Sequence, residues 1–258
     1  MEKSGLSVVI ATLNRADKVK CALESIKWAQ EIIILDGGSS DGTIEVCRRY
    51  TDRIIRQPGN ISLKNGDNID LVKNSGFKEA LSGWILSLDS DEVVPPGLAQ
   101  EIRTAISSAG DIDGYFIPRK NYYWGKYVRC LQPDYQLRLF KKGKGGFYGD
   151  HIHEKIKVAG TAAYLKESLI HNSYDSVGDF IRRSFVYLPN EINFLYERGE
   201  KRSPFKLLFG PFRKFLYYYV RQRSFKDGLD GFILSWMYSL YYFVPYLCFF
   251  IKKRAAHD

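Results

Sequence analysis

Four short apolar runs punctuate the first third of the chain: Ser7-Val8-Val9-Ile10-Ala11-Thr12, Glu31-Ile32-Ile33-Ile34-Leu35-Asp36, Arg53-Ile54-Ile55-Arg56 and Trp84-Ile85-Leu86-Ser87-Leu88. Each is too short for a helix and too continuously apolar for a half-exposed strand, which is the pattern of strands buried on both faces. Between them, Asn14-Arg15-Ala16-Asp17 opens a helix running to about Trp28, a second helix fits Ile44 to Tyr50, and residues 69 to 82 suit a third. Strands alternating with helices predict βαβ units and a mostly parallel sheet. Three of the strands end in polar residues, at Thr12/Asn14, Asp36 and Asp89/Asp91. Those ends are expected along one edge, where open α/β sheets take their ligands.

From about residue 113 the pattern changes to Tyr, Phe, Trp and Arg in extended runs such as Tyr115 to Pro118 and Tyr135 to Phe140. These aromatics suit sugar rings and equally suit a mixed sheet packed on the first half. Residues 176 to 199 and 203 to 223 read as helices, and Gly231 to Ile251 is 21 residues without a charge, enough to span a bilayer. Nine of the 21 are aromatic, Pro245 interrupts them, and cations flank both ends at Arg221, Arg223 and Lys226, then Lys252, Lys253 and Arg254. A spanning helix keeps its positive flank on one side, so attachment in the headgroup plane is expected, with a true span and a soluble aromatic core as alternatives. The expected division is 1–175, changing character between 1–112 and 113–175, followed by a basic aromatic helical region 176–258.

Charge sharpens that division. The formal +9 is uneven: residues 1 to 180 carry 24 Lys and Arg against 23 Asp and Glu, residues 181 to 258 carry 14 against 6. The basicity belongs to the helical end, and without an RNA- or DNA-binding motif beside it nucleic acid is not an expected partner. Cys21, Cys47, Cys130 and Cys248 have no C-x-x-C spacing, which argues against zinc and a disulfide framework and suits reduced thiols in a cytosolic setting. Leu6 to Leu13 runs into Asn14-Arg15 with no small-residue cleavage site, so it is expected to be a strand and no secretory signal.

Three places carry candidate chemistry. In Leu88-Asp89-Ser90-Asp91-Glu92, side chains at i and i+2 of an extended chain point the same way, so Asp89 and Asp91 can converge on a hard divalent cation bearing a diphosphate. The alternative is that these acids face the positive end of the helix signalled by Pro95 and Pro96. The loop Gly37 to Thr43 has neither a dinucleotide-binding nor a P-loop spacing and reads first as a turn. Asp36 at its entrance, a carboxylate ending an apolar strand, suits the imide N–H of uracil or a ribose hydroxyl. Asp150, His151, His153 and Glu154 cluster as either a metal pair or a general base beside a metal or diphosphate.

With these residues laid out, the chain resembles glycosyltransferase family 2, the inverting GT-A enzymes that use nucleotide-sugar donors. Ser7 to Asn14 resembles the family's first strand, Leu35-Asp36-Gly37-Gly38-Ser39-Ser40-Asp41-Gly42-Thr43 its second strand and loop, and Leu88 to Glu92 its D-x-D motif. The likeness extends to the lipopolysaccharide core β-glucosyltransferases of the WaaE/KdtX type, through Ser25 to Ala29, Ile117-Pro118-Arg119, Pro133-Asp134-Tyr135, Leu137 to Phe140, His153-Glu154 and Asp227-Gly228. It implies a Rossmann-like, mostly parallel sheet with a smaller mixed sheet, followed by membrane-associating helices.

By that resemblance Thr12, Asn14 and Asp36 hold the nucleoside, with Lys73 and Asn74 nearby. Asp89 faces ribose or metal, Asp91 binds the metal with His153 as a further candidate, and Arg138 meets the diphosphate or acceptor. Glu154 is the implied general base, though the extra ionisable groups of Gly149-Asp150-His151 make Asp150 a competitor. Residues 58 to 72 look longer and more polar than the family pattern. The implied activity is Mg2+- or Mn2+-assisted single displacement, moving a hexose, glucose first, from a UDP-sugar to a lipid-linked saccharide at the cytoplasmic face of the inner membrane. The rivals are transfer in another glycolipid or polysaccharide pathway, a nucleotidyltransferase, and a non-catalytic sugar-binding protein.

Overall fold

The structure is a computed structural model and describes residues 5–56, 69–129, 132–148 and 155–251, with the side chains of 69–71 left aside. Its chain divides into two units, Met1–Lys120 with Asp134–Ser173, and Asn121–Pro133 with Tyr174–Asp258.

In the first unit β1 (Leu6–Thr12) pairs in parallel with β2 (Glu31–Asp36) on one side and with β4 (Trp84–Asp89) on the other, while β3 (Ile54–Arg56) extends the sheet beyond β2. The apolar runs are continuous because both faces are covered, and strand alternation sorts them into two cores. Val8, Ile10, Ile32, Ile34, Leu86 and Leu88 pack with Val19, Ala22 and Leu23 of α1 (Ala16–Ser25) and Leu98, Ala99 and Ile102 of α4 (Pro96–Ser107). Val9, Ile33, Leu35 and Ile85 point the other way, onto Val72 and Phe77 of α3 (Ile69–Glu79) and Ala80 just after it. Between β2 and β3 lies α2 (Thr43–Cys47). The helix expected to reach Trp28 ends at Ser25, and Trp28 instead donates its indole N–H to the Ser25 carbonyl.

The extended aromatic runs are antiparallel strands. β8 (Tyr135–Lys141) lines up beside β4, with Ile85 opposite Phe140, and β6 (Ile112–Tyr123) lies beyond it. β11 (Thr161–Tyr164) follows β6 in parallel; β9 (Gly145–Gly146) and β10 (Lys157–Val158) pair separately. β5 (Glu92–Val93) pairs with β12 (Leu169–Tyr174), placing His171 opposite Glu92.

The second unit holds α5 (Val177–Glu197), α6 (Pro204–Leu216) and α7 (Gly228–Ile251), with a π-helical turn Tyr217–Arg221 and a 3-10 turn Ser224–Asp227 between the last two. Ser176 and Ser203 cap α5 and α6 by accepting from the Asp179 and Lys206 amides. The end of β6 and β7 (Lys126–Tyr127) form a hairpin belonging to this unit. Asp227 accepts from Arg129, Asp230 accepts from the Trp124 indole at 3.0 Å and Lys126 at 2.7 Å, and Tyr123 and Val128 bury against Leu234. The uncharged run 231–251 sits within α7, where Leu234, Ser235, Ser239, Tyr246 and Phe249 are buried, and Ser224–Ile251 is long and apolar enough to cross a membrane by length and composition.

Candidate active site

The parallel registers put Thr12 opposite Asp36 and Ala11 opposite Asp89, so the polar strand ends meet along one edge. At that edge the loops after β1 and β2 are laced together. Asn14, in the left-handed region at φ 52°, accepts the Ser40 amide on its side chain at 2.9 Å, and the Arg15 amide donates to Thr43 Oγ1 at 2.8 Å. Asp36 folds the glycine-rich loop by accepting from the amides of Gly38 at 3.0 Å and Ser39 at 3.1 Å. A carboxylate has about four lone-pair positions, so this leaves Asp36 capacity for another donor. It borders a cleft of about 610 Å3 that also touches Ser39, Gly42, Arg48 and Arg56. Thr12 Oγ1 is buried at the end of β1 without a hydrogen-bond partner, which is costly unless a ligand supplies one.

The acids after β4 are arranged differently from the expectation of one extended run. β4 stops at Asp89, and Ser90–Asp91 make a turn into β5, so Asp89 and Asp91 do not share one strand's alternation. The positive partners of Asp89 are protein cations, Lys73 of α3 and Arg138 of β8. Arg138 also reaches buried Glu92 at 3.0 Å; Glu92 takes Arg119 of β6 at 3.3 Å, and Arg119 continues to Asp134 at 2.8 Å. Three carboxylates and three cations thus interlock under the edge, and Glu92 further accepts the Asp89 amide at 2.9 Å. Burial raises the Asp89 carboxyl, but Arg138 and Lys73 outweigh it and hold it well below the ordinary carboxylate range.

Asp91 faces a different group, the Nε2 of His171 at 3.8 Å. Burial, then the nearby Arg119 guanidinium, pushes His171 down to about 4, so the imidazole is neutral at physiological pH. Its Nδ1 lies 2.9 Å from Ser173 Oγ, which orients Nε2 toward Asp91. Among the described residues no three His, Cys, Asp or Glu side chains gather as a metal cage. The Asp91 edge fits instead the mode in which Mg2+ takes one or two protein groups and completes its shell with phosphate oxygens and water.

Asn74 holds both backbone groups of Phe147, at 2.8 and 2.9 Å, and so fixes the chain just ahead of the 149–154 segment. Asp150, His153 and Glu154 lie outside the described residues. Sequence reasoning gave no role to Glu92 or His171. The signal for Glu92 was a third acid directly after the pair; for His171 it was only one of four histidines, standing on a short strand.

The comparisons with known proteins agree with this architecture. The pattern of Glycosyl transferase family 2 matches residues 7–172. A lipopolysaccharide core biosynthesis glycosyltransferase, LpsC of Rhizobium meliloti, is 26% identical over 246 residues, covering 94% of this chain and 90% of its own. An uncharacterized glycosyltransferase of Rickettsia felis is 24% identical, covering 93% and 86%. Among solved structures, the mannosyltransferase PcManGT of Pyrobaculum calidifontis, in complex with GDP-Man and Mn2+, superposes with a TM-score of 0.52 at 12% identity, covering 99% of this chain and 89% of that one. The fold is that of GT-A glycosyltransferases, and the chain belongs to glycosyltransferase family 2.

Proposed function

We propose that the protein transfers a hexose, glucose first, with inversion from a UDP-sugar to a lipid-linked saccharide such as lipopolysaccharide inner core, working as a peripheral enzyme at the cytoplasmic face of the inner membrane. The observation that carries the reading is the edge itself: an orphaned Thr12 hydroxyl, Asp36 beside a cleft, and Asp91 with a neutral imidazole, all at the ends of adjacent strands. LpsC, similar along nearly its whole length, is named for lipopolysaccharide core biosynthesis, and PcManGT holds a nucleotide sugar with Mn2+.

In this reading Thr12 and Asp36 hold the nucleoside, Asn14 keeps the loop over it in shape, and Lys73, Asp89 and Arg138 border the diphosphate. Asp91, with His171 adjacent and His153 a further candidate, would hold Mg2+ or Mn2+, which when bound neutralises charge developing on the departing diphosphate. Glu154 is assigned the base that takes the acceptor hydroxyl's proton, with Asp150 as its competitor. A base of this kind contributes roughly 10²- to 10⁴-fold.

The test is a panel of nucleotide sugars scored for metal-dependent release of UDP, with and without lipid-linked acceptor. Asp91→Ala is expected to abolish transfer and weaken metal-dependent UDP binding; Glu154→Gln is expected to abolish transfer while leaving UDP binding intact. Near-normal turnover in Glu154→Gln would move the base elsewhere, and release of no nucleotide from any sugar donor would sink the reading.

A further inference from the structure

The second unit has a charged cavity and an uncovered apolar helix face of its own. α6 has no buried residue, although it is rich in large apolar side chains. Phe205, Leu208, Phe209, Phe212 and Leu216 are all exposed, Phe205 at 70% and Leu208 at 65%. Their spacing of three and four places them on one helical face. Lys206, Gly210, Arg213 and Lys214 form the adjacent face, and they line a cavity of about 270 Å3 closed by Arg198 of the α5 end and Tyr242 and Tyr246 of α7.

The cavity's charges do not balance. Glu200 is shared between Arg198 and Lys206, and Glu191 accepts the Tyr241 hydroxyl at 2.9 Å. Arg213 and Lys214 have no carboxylate partner among the described residues; Lys214 rests over the Tyr242 ring at 4.2 Å. Burial, followed by the Arg213 and Arg198 charges, lowers the Lys214 ammonium from its ordinary value, as expected where positive charge lacks an anion.

We propose that this cavity takes the phosphate of an anionic membrane lipid, while the Phe205–Leu216 ridge enters the acyl boundary beside it. The occupant follows from complementarity: a phosphate headgroup carrying acyl chains presents an anion and an apolar body side by side, as this cavity and ridge do. The inference rests on the membrane-facing part of the reading above and moves the attachment from the 231–251 run to α6. α7 becomes the element that backs α6, with Phe215 stacked on Trp236 at 4.6 Å and Ser239 donating to the Pro211 carbonyl.

The experiment is sedimentation of the full chain with vesicles of phosphatidylcholine alone or mixed with phosphatidylglycerol, and neither needs a sugar donor. A double substitution Arg213→Gln/Lys214→Gln is expected to weaken binding to the phosphatidylglycerol vesicles about thirtyfold, near fivefold per cation, while metal-dependent UDP release stays unchanged. Arg221→Gln/Arg223→Gln, outside the cavity, is expected to cost clearly less; an equal loss would mean diffuse electrostatics and overturn the cavity. Hydrogen exchange of the wild-type chain supplies a readout free of substitution: vesicles should protect Pro204–Leu216. Protection of α7 with α6 unchanged, or binding no tighter to anionic vesicles, refutes the proposal. Loss of transferase activity in every donor assay would leave these outcomes unaffected.

Discussion

Replacing Glu92 by Gln removes one charge from the interlocked cluster while keeping its volume. Glu92 is fully buried, and its carboxylate meets Arg138 at 3.0 Å, Arg119 at 3.3 Å and the Asp89 amide at 2.9 Å. Removing one partner of a buried ion pair typically costs 3–5 kcal/mol, because the remaining charge is left uncompensated. Here both guanidiniums keep a second carboxylate, Asp89 for Arg138 and Asp134 for Arg119, which places the loss near the bottom of that range, at about 3 kcal/mol. The amide also turns an N–H toward a cluster in which three donors already converge. Against a total stability of roughly 5–15 kcal/mol this is a large fraction. Urea unfolding should show the midpoint falling by roughly 1 M for a slope near 3 kcal/mol/M. Glu79→Gln, at an exposed carboxylate 3.7 Å from Arg53, should cost under about 1 kcal/mol. A Glu92→Gln protein unfolding within that same margin of wild type would refute the view that charge balance holds this edge together.

Thr12→Val should leave stability near wild type, since the hydroxyl it removes has no protein partner, while weakening UDP binding about fivefold by calorimetry, the worth of about 1 kcal/mol for one hydrogen bond. Gly76→Val should destabilise by roughly 1–3 kcal/mol in a thermal melt: a Cβ there would stand 2.7 Å from Val9 Cγ1 and 3.0 Å from Leu35 Cδ1, where α3 lies on the sheet. Unfolded His171 takes up a proton near 6.5 that the folded imidazole refuses until about 4, so metal-free protein should lose stability as pH falls across that window, by up to about 3 kcal/mol. His171→Gln should flatten the profile there. Asp89, its folded value depressed, adds stability that is present above about pH 4 and lost below it, so a second fall should persist in that variant.

The parallel half of the sheet was legible because each strand is an apolar run ended by a polar residue, and burial on both faces leaves no other place for such a run. The position of Asp36 and Asp89 at the sheet edge was legible the same way, as the polar ends of two such runs. What the sequence concealed are relationships between distant segments. Arg119 and Arg138 sit on strands whose pairing no local pattern states, and His171 reaches Asp91 only because β12 pairs with β5. The extended reading of Asp89 to Asp91 carries strand alternation two residues beyond the end of β4, into the Ser90–Asp91 turn, where that alternation no longer holds. The membrane expectation favoured 231–251, where hydrophobicity is densest, but dense hydrophobicity also suits a helix that others pack against. α6 also leaves an apolar face uncovered, Phe205, Leu208, Phe209, Phe212 and Leu216, a signal that its cations dilute in the sequence.

The ties from Asp227 and Asp230 to Arg129, Trp124 and Lys126 constrain how this protein can be dissected. Shortening the chain after residue 224 would strip the hairpin of both anchors and bare Tyr123 and Val128, which lean on Leu234. A clipped protein would therefore report a damaged scaffold, whatever its affinity for lipid, and single-residue changes on an intact chain are the sound route to separating attachment from catalysis.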